Sequence, residues 1–273
     1  MKRKIQRLEM TEGNYGACVS DPPTKTQTRR RMRDQPPPET HRMDPEPFGL
    51  FGAYERSGIR IPGTYKPRLR VGDIAGLTLP HWRVKLWRNG LDPIDNPGGI
   101  IQIFDAVTGV LRATDGACVE GFDVQKEIAT GAYTRKAARY MPVWACLHFA
   151  EIVAVRAERL GEITYEDCLA EGIRAFAHLI GPALAPVGGI RKYSYPGQPL
   201  VERRVPTPLG AYAAEWEALH CAGAWDPDQW VWVLDFKLCD PPSREAMADS
   251  GPEPTSPSIA SATEGYEGQG DEP

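Results

Sequence analysis

Apolar and polar residues alternate along His81-Trp82-Arg83-Val84-Lys85-Leu86-Trp87, the two-residue period of a half-buried strand. Ile100 to Phe104 and Gly109 to Ala113 are apolar runs joined through Asp105-Ala106-Val107-Thr108, which predicts a hairpin. Leu69 to Thr78 is a β-type run broken by the turn signal Gly72-Asp73. Trp144 to Val155 is rich in valine and aromatics and predicts a long buried strand. Val231 to Phe236 predicts another, after a turn at Trp225-Asp226-Pro227-Asp228. From about 59 to 155 the pattern is mostly that of β structure.

Two segments carry helical signals. Thr164 offers an N-cap hydroxyl, Asp167 an acid three residues on, and Gly172 a C-terminal stop. Over 208–220, Leu209, Tyr212, Ala213, Trp216 and Leu219 recur at helical spacing and predict one buried face. Prolines at 22, 23, 36, 37, 38, 45 and 47 cut the first 50 residues into short pieces, because proline lacks a backbone donor and fixes φ. Residues 1–20 show no clear element. Residues 181–208, with glycines, prolines and a basic patch (Arg191, Lys192, Arg203, Arg204), read as a long loop or insertion. Residues 241–273 hold Pro, Ser, Gly and Glu with almost no large apolar group and read as disordered. Many short strands with few helices predict a β-rich α+β fold: a small β-barrel with helices at its mouth, or a sandwich.

Charge changes this picture in one respect. The net charge is −4, but 241–273 carry seven acids against Arg244, a local −6, so the remaining 240 residues carry +2. The acidic balance therefore does not exclude a nucleic-acid or nucleotide partner. No apolar run approaches the roughly 18 residues of a membrane span, and Met1 to Met10 has a basic start with no apolar stretch behind it, unlike a secretory signal. Six cysteines without a CxxC pair predict reduced thiols in a cytoplasmic protein.

The most unusual stretch is Thr24-Lys25-Thr26-Gln27-Thr28-Arg29-Arg30-Arg31. In a plain strand Lys25 and Thr28 point to opposite faces, so sharing a site requires a turn near Lys25; Thr28 and Arg30 then lie on one face. The plainer account is a solvated edge strand, where basic residues discourage aggregation. Glu171 is the second oddity: an acid in the last turn of a helix, where the dipole disfavours it by about 0.3–1 kcal/mol. That placement raises a carboxyl pKa, and burial raises it further, toward use as a general acid or base. The plainer account is an exposed glutamate. The aromatics, Trp82, Trp144, Trp216, Trp230 and Trp232 among them, read mainly as core, with base stacking as the alternative. Cys146 and His148 share one side of the predicted 144–155 strand, but no second cluster completes a metal site. His41, His81, His178 and His220 have no evident partner. Neither a P-loop, a GxGxxG nor a GxSxG occurs.

Taken in order, these pieces resemble the phage and prophage proteins of the ASCH-domain family, in the PUA-like superfamily of small β-barrels. The residues that carry the resemblance are Lys25 to Arg30, Pro36 to Pro38, Gly72-Asp73, Arg139-Tyr140-Met141-Pro142-Val143-Trp144-Ala145, Val155-Arg156-Ala157-Glu158-Arg159-Leu160, Ala170-Glu171-Gly172-Ile173 and Trp230 to Lys237. They span about 25–237. The chain lacks the family's glycine before the lysine segment, having Asp21-Pro22-Pro23-Thr24 instead. The resemblance implies one ASCH/PUA-like domain over 21–240, insertions at about 40–65 and 181–208, and an acidic tail. Small members similar to N4-acetylcytidine amidohydrolase use a lysine, a threonine three residues on and a glutamate closing the acidic helix. The matching positions are Lys25, Thr28 and Glu171, with Arg30 matching a site arginine and Arg29 and Arg31 beside it as phosphate-binding candidates. The expected activity is removal of an acyl group from the exocyclic amine of a modified pyrimidine nucleoside or nucleotide, without metal or other cofactor. The alternatives are a non-catalytic RNA- or nucleotide-binding module and a phage accessory or morphogenesis protein. The expected setting is the cytoplasm, that of the bacterial host if phage-encoded, with no membrane partner.

Overall fold

Long apolar strands form the middle of the molecule, and the short polar ones lie at its edges. The computed structural model describes residues 5–84, 102–105, 110–113, 118–119, 126, 129, 133–177, 191–194 and 206–248. The main sheet has five strands: β1 (Ile5–Glu9), β2 (Gln27–Arg31), β6 (Ile74–Thr78), β12 (Phe149–Arg159) and β15 (Trp230–Cys239), in the order β1-β6-β12-β15-β2. β1 and β6 run parallel, and the other pairs are antiparallel.

The two-residue alternation along β15 builds two cores. Leu234 and Phe236 pack with Leu8, Leu77, Ile152 and helix α1 (Glu12–Val19), through Tyr15 and Cys18. Val231 and Val233 pack on the opposite face against α2 (Tyr165–Ala170) and α3 (Pro208–His220), through Cys168, Tyr212 and Trp216. Each such side chain, once buried, contributes about 1.5–3 kcal/mol. The N-terminal 20 residues, which show no clear pattern, thus supply an edge strand and a core helix.

The segment read as an insertion at about 40–65 folds as a three-stranded antiparallel sheet of β3 (Arg42–Glu46), β4 (Leu50–Tyr54) and β5 (Arg60–Tyr65). Its Met43, Phe51, Ala53 and Ile61 share a core with Met32, Trp230 and Trp232, and the Phe51 and Trp232 rings meet edge-on at 4.9 Å. A second five-stranded sheet contains β7 (His81–Val84), β8 (Gln102–Asp105), β9 (Leu111–Ala113), β10 (Cys118–Val119) and β11 (Tyr133–Lys136). β8 and β9 are the predicted hairpin. β13 (Arg174–Ala177) pairs with β14 (Arg191–Ser194), so part of 181–208 is a strand, and the rest of that segment lies outside the described residues. The disorder expected for 241–273 is corrected at its start: a short helix, α4 (Arg244–Ala248), follows β15, and Met247 packs against the Ile5, Val143, Cys146 and Phe149 cluster; 249–273 lie outside the described residues.

Three further sequence expectations are corrected. Trp144 is not in a strand: after Pro142 the chain makes a 3₁₀ turn at Val143–Ala145, and β12 begins only at Phe149. Cys146 and His148 therefore precede the strand, and His148 Nδ1 pairs with the Tyr15 hydroxyl at 2.6 Å. The turn packs tightly on β6, because a Cβ at Gly76 would sit 2.8 Å from Cys146 Sγ. The buried face of α3 is also rotated from the expected one. Leu209 and Leu219 are exposed, while Ala211, Tyr212, Glu215 and Trp216 are buried. Lastly, backbone pairing closes no barrel among the described residues; the sheets are open, and β1 and β2 are the two edges of the main one. Both edges nevertheless line one cleft, and Arg30 of β2 donates across it to the Glu9 carbonyl of β1. The sheet is therefore curled, with a side chain rather than a strand spanning its seam. Among the described residues no helix is long and apolar enough to cross a membrane.

Candidate active site

Residues 24–26 are held by three backbone elements before β2 begins. Thr24 and Lys25 N–H groups donate to the Ala17 carbonyl at the end of α1, and Thr26 N–H donates to the Ala170 carbonyl at the end of α2. The Thr26 carbonyl accepts from Phe236 of β15 at 2.9 Å. The chain thus departs from a plain strand near Lys25, the condition the sequence set for Lys25 and Thr28 to share a site.

Glu171 is placed by the end of α2. Thr164 and Asp167 form the predicted capping box at its start. At its end Gly172 adopts φ +95°, a conformation that glycine tolerates and other residues resist. The Gly172 N–H donates to the Leu169 carbonyl and the Ile173 N–H to the Cys168 carbonyl, the bond pair that closes a helix in a Schellman motif. Glu171 is the cap residue itself and is only 2% exposed. Lys25 Nζ meets it twice, donating to the Glu171 carbonyl at 2.8 Å and to its Oε2 at 2.6 Å. The amine thus satisfies a carbonyl that a helix end leaves unpaired and supplies positive charge where the dipole wants it. Lys25 is also 2% exposed. An acid at the wrong end of a helix is stable here because a buried lysine answers it.

Arg29, expected at phosphate, is turned the other way. Its guanidinium is fully buried and meets Glu158 and Asp167 at 3.1 Å each and Glu171 at 3.3 Å. It also donates to Gln27 Oε1 at 2.8 Å and lies over the Tyr212 ring. Burial works against its charge, but Glu171, Tyr212, Asp167 and Glu158 outweigh it and raise its pKa above the ordinary value. Gln27 and Arg156 extend the network: Gln27 donates to Asp167 and Asp235, and Arg156 to Glu158, Asp167 and Asp235. Burial also opposes ionisation of Asp167, but the bonds from Gln27 and Thr164 and the charge of Arg29 hold its carboxyl down at about 2. Arg29 therefore locks Glu171 in place, and its donors face carboxylates rather than open space.

Thr28 and Arg30 occupy the other face of β2, as alternation demands. Their cross-strand partners are Leu234 and Trp232, and both of these line the seam cleft, a cavity of about 630 Å³. Thr28 is 5% exposed, and no hydrogen bond joins it to the Lys25–Glu171 pair among the described residues. Arg30 and Arg31 line the cleft. Burial lowers the Arg30 pKa, against the attraction of Glu171 and Glu9, so its charge is felt both in the cleft and at the pair. Of the six candidates, then, Lys25, Arg29 and Glu171 are brought into contact. Thr28 and Arg30 belong to the opposite face of β2, and Arg31, on the Arg29 face by alternation, borders the cleft with its guanidinium against the Gln229 amide.

Sequence reasoning missed Glu215. It is 4% exposed on the buried face of α3, its Oε1 accepts from Asn14 Nδ2 of α1 at 2.9 Å, and its Oε2 has no hydrogen-bond partner. Burial pushes its carboxyl up to about 7, with Lys25 lowering it and Glu171 raising it. Tyr212, one turn earlier, is also buried, and burial with the Glu171 charge pushes its hydroxyl well above its ordinary value. The available signal was weak: a glutamate next to Trp216 and three residues after Tyr212, at the border of the expected apolar stripe. Burial pushes the Cys18 thiol up to about 11 and that of Cys168 up to about 12, so both remain thiols at neutral pH and neither is a ready nucleophile. Among the described residues no group of three or more His, Cys, Asp or Glu side chains is arranged to hold a metal ion.

No family model matches the chain, and no curated protein or solved structure matches it either. The ASCH resemblance therefore stands on the motifs quoted above.

Proposed function

We propose that this chain is an ASCH-type hydrolase that removes an acyl group from the exocyclic amine of a modified pyrimidine nucleoside or nucleotide. The observation that carries the reading is the contact of Lys25 Nζ with Glu171 Oε2 at 2.6 Å, with both groups 2% exposed. The pair is an ion pair at rest, and the reaction needs its proton moved from the amine to the carboxylate across that short contact. With the proton on Glu171, the Lys25 nitrogen has a lone pair to accept a proton from water. The water oxygen bonds to the acyl carbon, the carbonyl π pair moves to oxygen, and Thr28 or Arg30 stabilises that oxyanion. The C–N bond then breaks, and the proton held by the pair passes to the leaving nitrogen. The products are a carboxylic acid and the free amine, and atoms and charge balance without a cofactor. In this reading the curled sheet is a PUA-like barrel opened along the β1–β2 seam.

The test is hydrolysis of N4-acetylcytidine by the full chain, followed by the change in ultraviolet absorbance. The wild-type chain should turn over and Lys25→Ala should not; equal rates for both would remove the mechanism. The burial of the pair, outside the cleft lining, favours a second reading: a module that holds a nucleoside without cleaving it. Binding of cytidine with no turnover by the wild-type chain would select that reading.

A further inference from the structure

The seam cleft is lined by Arg7, Arg30, Arg31, Arg33, Lys66 and Arg68. Among the described residues none of these six forms an ion pair with a carboxylate. Elsewhere Arg29, Arg60, Arg156, Arg159 and Lys237 all have such partners. Only two acids, Glu9 and Asp34, share the lining. Six like charges around one cavity repel one another and raise the energy of the empty fold. The arrangement is explained by a ligand that carries the missing negative charge.

The backbone that carries the cations is anchored by buried neighbours. Arg31 and Arg33 flank buried Met32, and Lys66 and Arg68 alternate with buried Pro67 and Leu69. Arg7 is fixed by its bond to the Arg139 carbonyl at 2.7 Å. Three chain segments, around Arg7, 30–34 and 64–69, thus bring cations to the lining of one cleft that Trp232 and Leu234 also border. A membrane surface, being flat, does not match a concave site. A strand of phosphodiesters does, with its charges spaced along a groove. The wall at 64–69 begins in the last two residues of β5, so the three-stranded segment read as an insertion helps to build the site.

We infer that this cleft binds the phosphates of a cytidine-type nucleotide, as a mononucleotide or in single-stranded RNA. The inference rests on the nucleoside-directed reading above and adds that the ligand is phosphorylated.

Binding of a fluorescein-labelled hexacytidylate RNA to the full chain, read by fluorescence anisotropy over a KCl series, tests it. The Kd should rise with salt, with a slope of about 0.7 for each phosphate engaged. Lys66→Ala with Arg68→Ala, both exposed positions, should weaken binding about tenfold and lower the slope by about 1.4. Arg56→Ala, an exposed arginine outside the cleft, should change neither. Displacement of the RNA by cytidine 5′-monophosphate assigns the cleft to a single nucleotide, and resistance to it assigns a strand; either supports the inference. It is overturned if neither RNA nor the monophosphate binds at low salt, if the double variant binds as well as wild type, or if a phosphoserine hexapeptide displaces the RNA as effectively as unlabelled hexacytidylate does. RNA binding without deacylation leaves the cleft assignment standing and removes the hydrolase reading. Deacylation of acetylcytidine without RNA or nucleotide binding does the reverse.

Discussion

At Lys25 and Glu171 a single contact joins structure to proposed chemistry, and both ends of it are out of water. Removing one end strands the other. Lys25→Met leaves Glu171 with Arg29 alone and should cost about 3–5 kcal/mol, measured by urea unfolding. A loss below 1 kcal/mol would mean that the pair is solvated in solution. Glu215 makes a different prediction. Its folded value of about 7 lies above the ordinary 4.5, so the fold holds this proton more tightly than the unfolded chain does. Its ionisation costs the fold nothing below about pH 4.5 and weakens it progressively as pH rises through about 7, by about 3 kcal/mol in all. Glu215→Gln keeps an acceptor for Asn14 and has no charge to bury. Melting temperatures of wild type should therefore fall relative to the variant between about pH 5 and pH 8; parallel curves would show that Glu215 does not titrate in this range. Sequence inspection found Lys25 and Glu171 because each is locally odd. Glu215 stands beside the expected apolar stripe rather than in it, and only the rotation of α3 buries it.

Among the elements, α2 was the most legible, because its capping box and stop glycine are local chemistry that needs no distant partner. It also yields a paired test. Thr164→Ala removes an N-cap and should cost about 1 kcal/mol. Gly172→Ala forces a Cβ into φ +95° and should cost a similar 1–2 kcal/mol, roughly. Only the second lies next to Glu171, so only it should lower acetylcytidine hydrolysis beyond what lost stability explains. Equal activity in the two would separate the helix end from the site. α3 was legible in extent but not in facing. Helical spacing allows more than one apolar stripe, and packing on Val231 and Val233 selected Tyr212 and Trp216 while leaving Leu209 and Leu219 outside. The Trp144–Val155 run misled because aromatics and valines serve a tight 3₁₀ turn as well as a strand, and Pro142 favours the turn.

For the whole molecule, the segment 42–65 is no appendage. Phe51 is 5% exposed and packs on Trp232 of the central β15, so its sheet and the main sheet share a core. Phe51→Ala should cost about 3–5 kcal/mol and shift one cooperative calorimetric transition. An early separate transition, with the main one unmoved, would show the two sheets to be independent.

The sequence by itself determined the β8–β9 hairpin, the last strand β15, the extent of α3 and where α2 begins and ends, since propensity, caps and glycine stops act over a few residues. It also marked Lys25 and Glu171 as locally odd, and the ASCH resemblance implied that they pair. Only the tertiary structure decided that they meet, that Arg29 turns from the cleft to the carboxylates, that Glu215 is buried with them, and that the sheet curls until β1 and β2 share a cleft. Those outcomes depend on contacts between residues up to about 200 positions apart, such as Asn14 with Glu215, and local pattern holds no information about which distant faces will pack together.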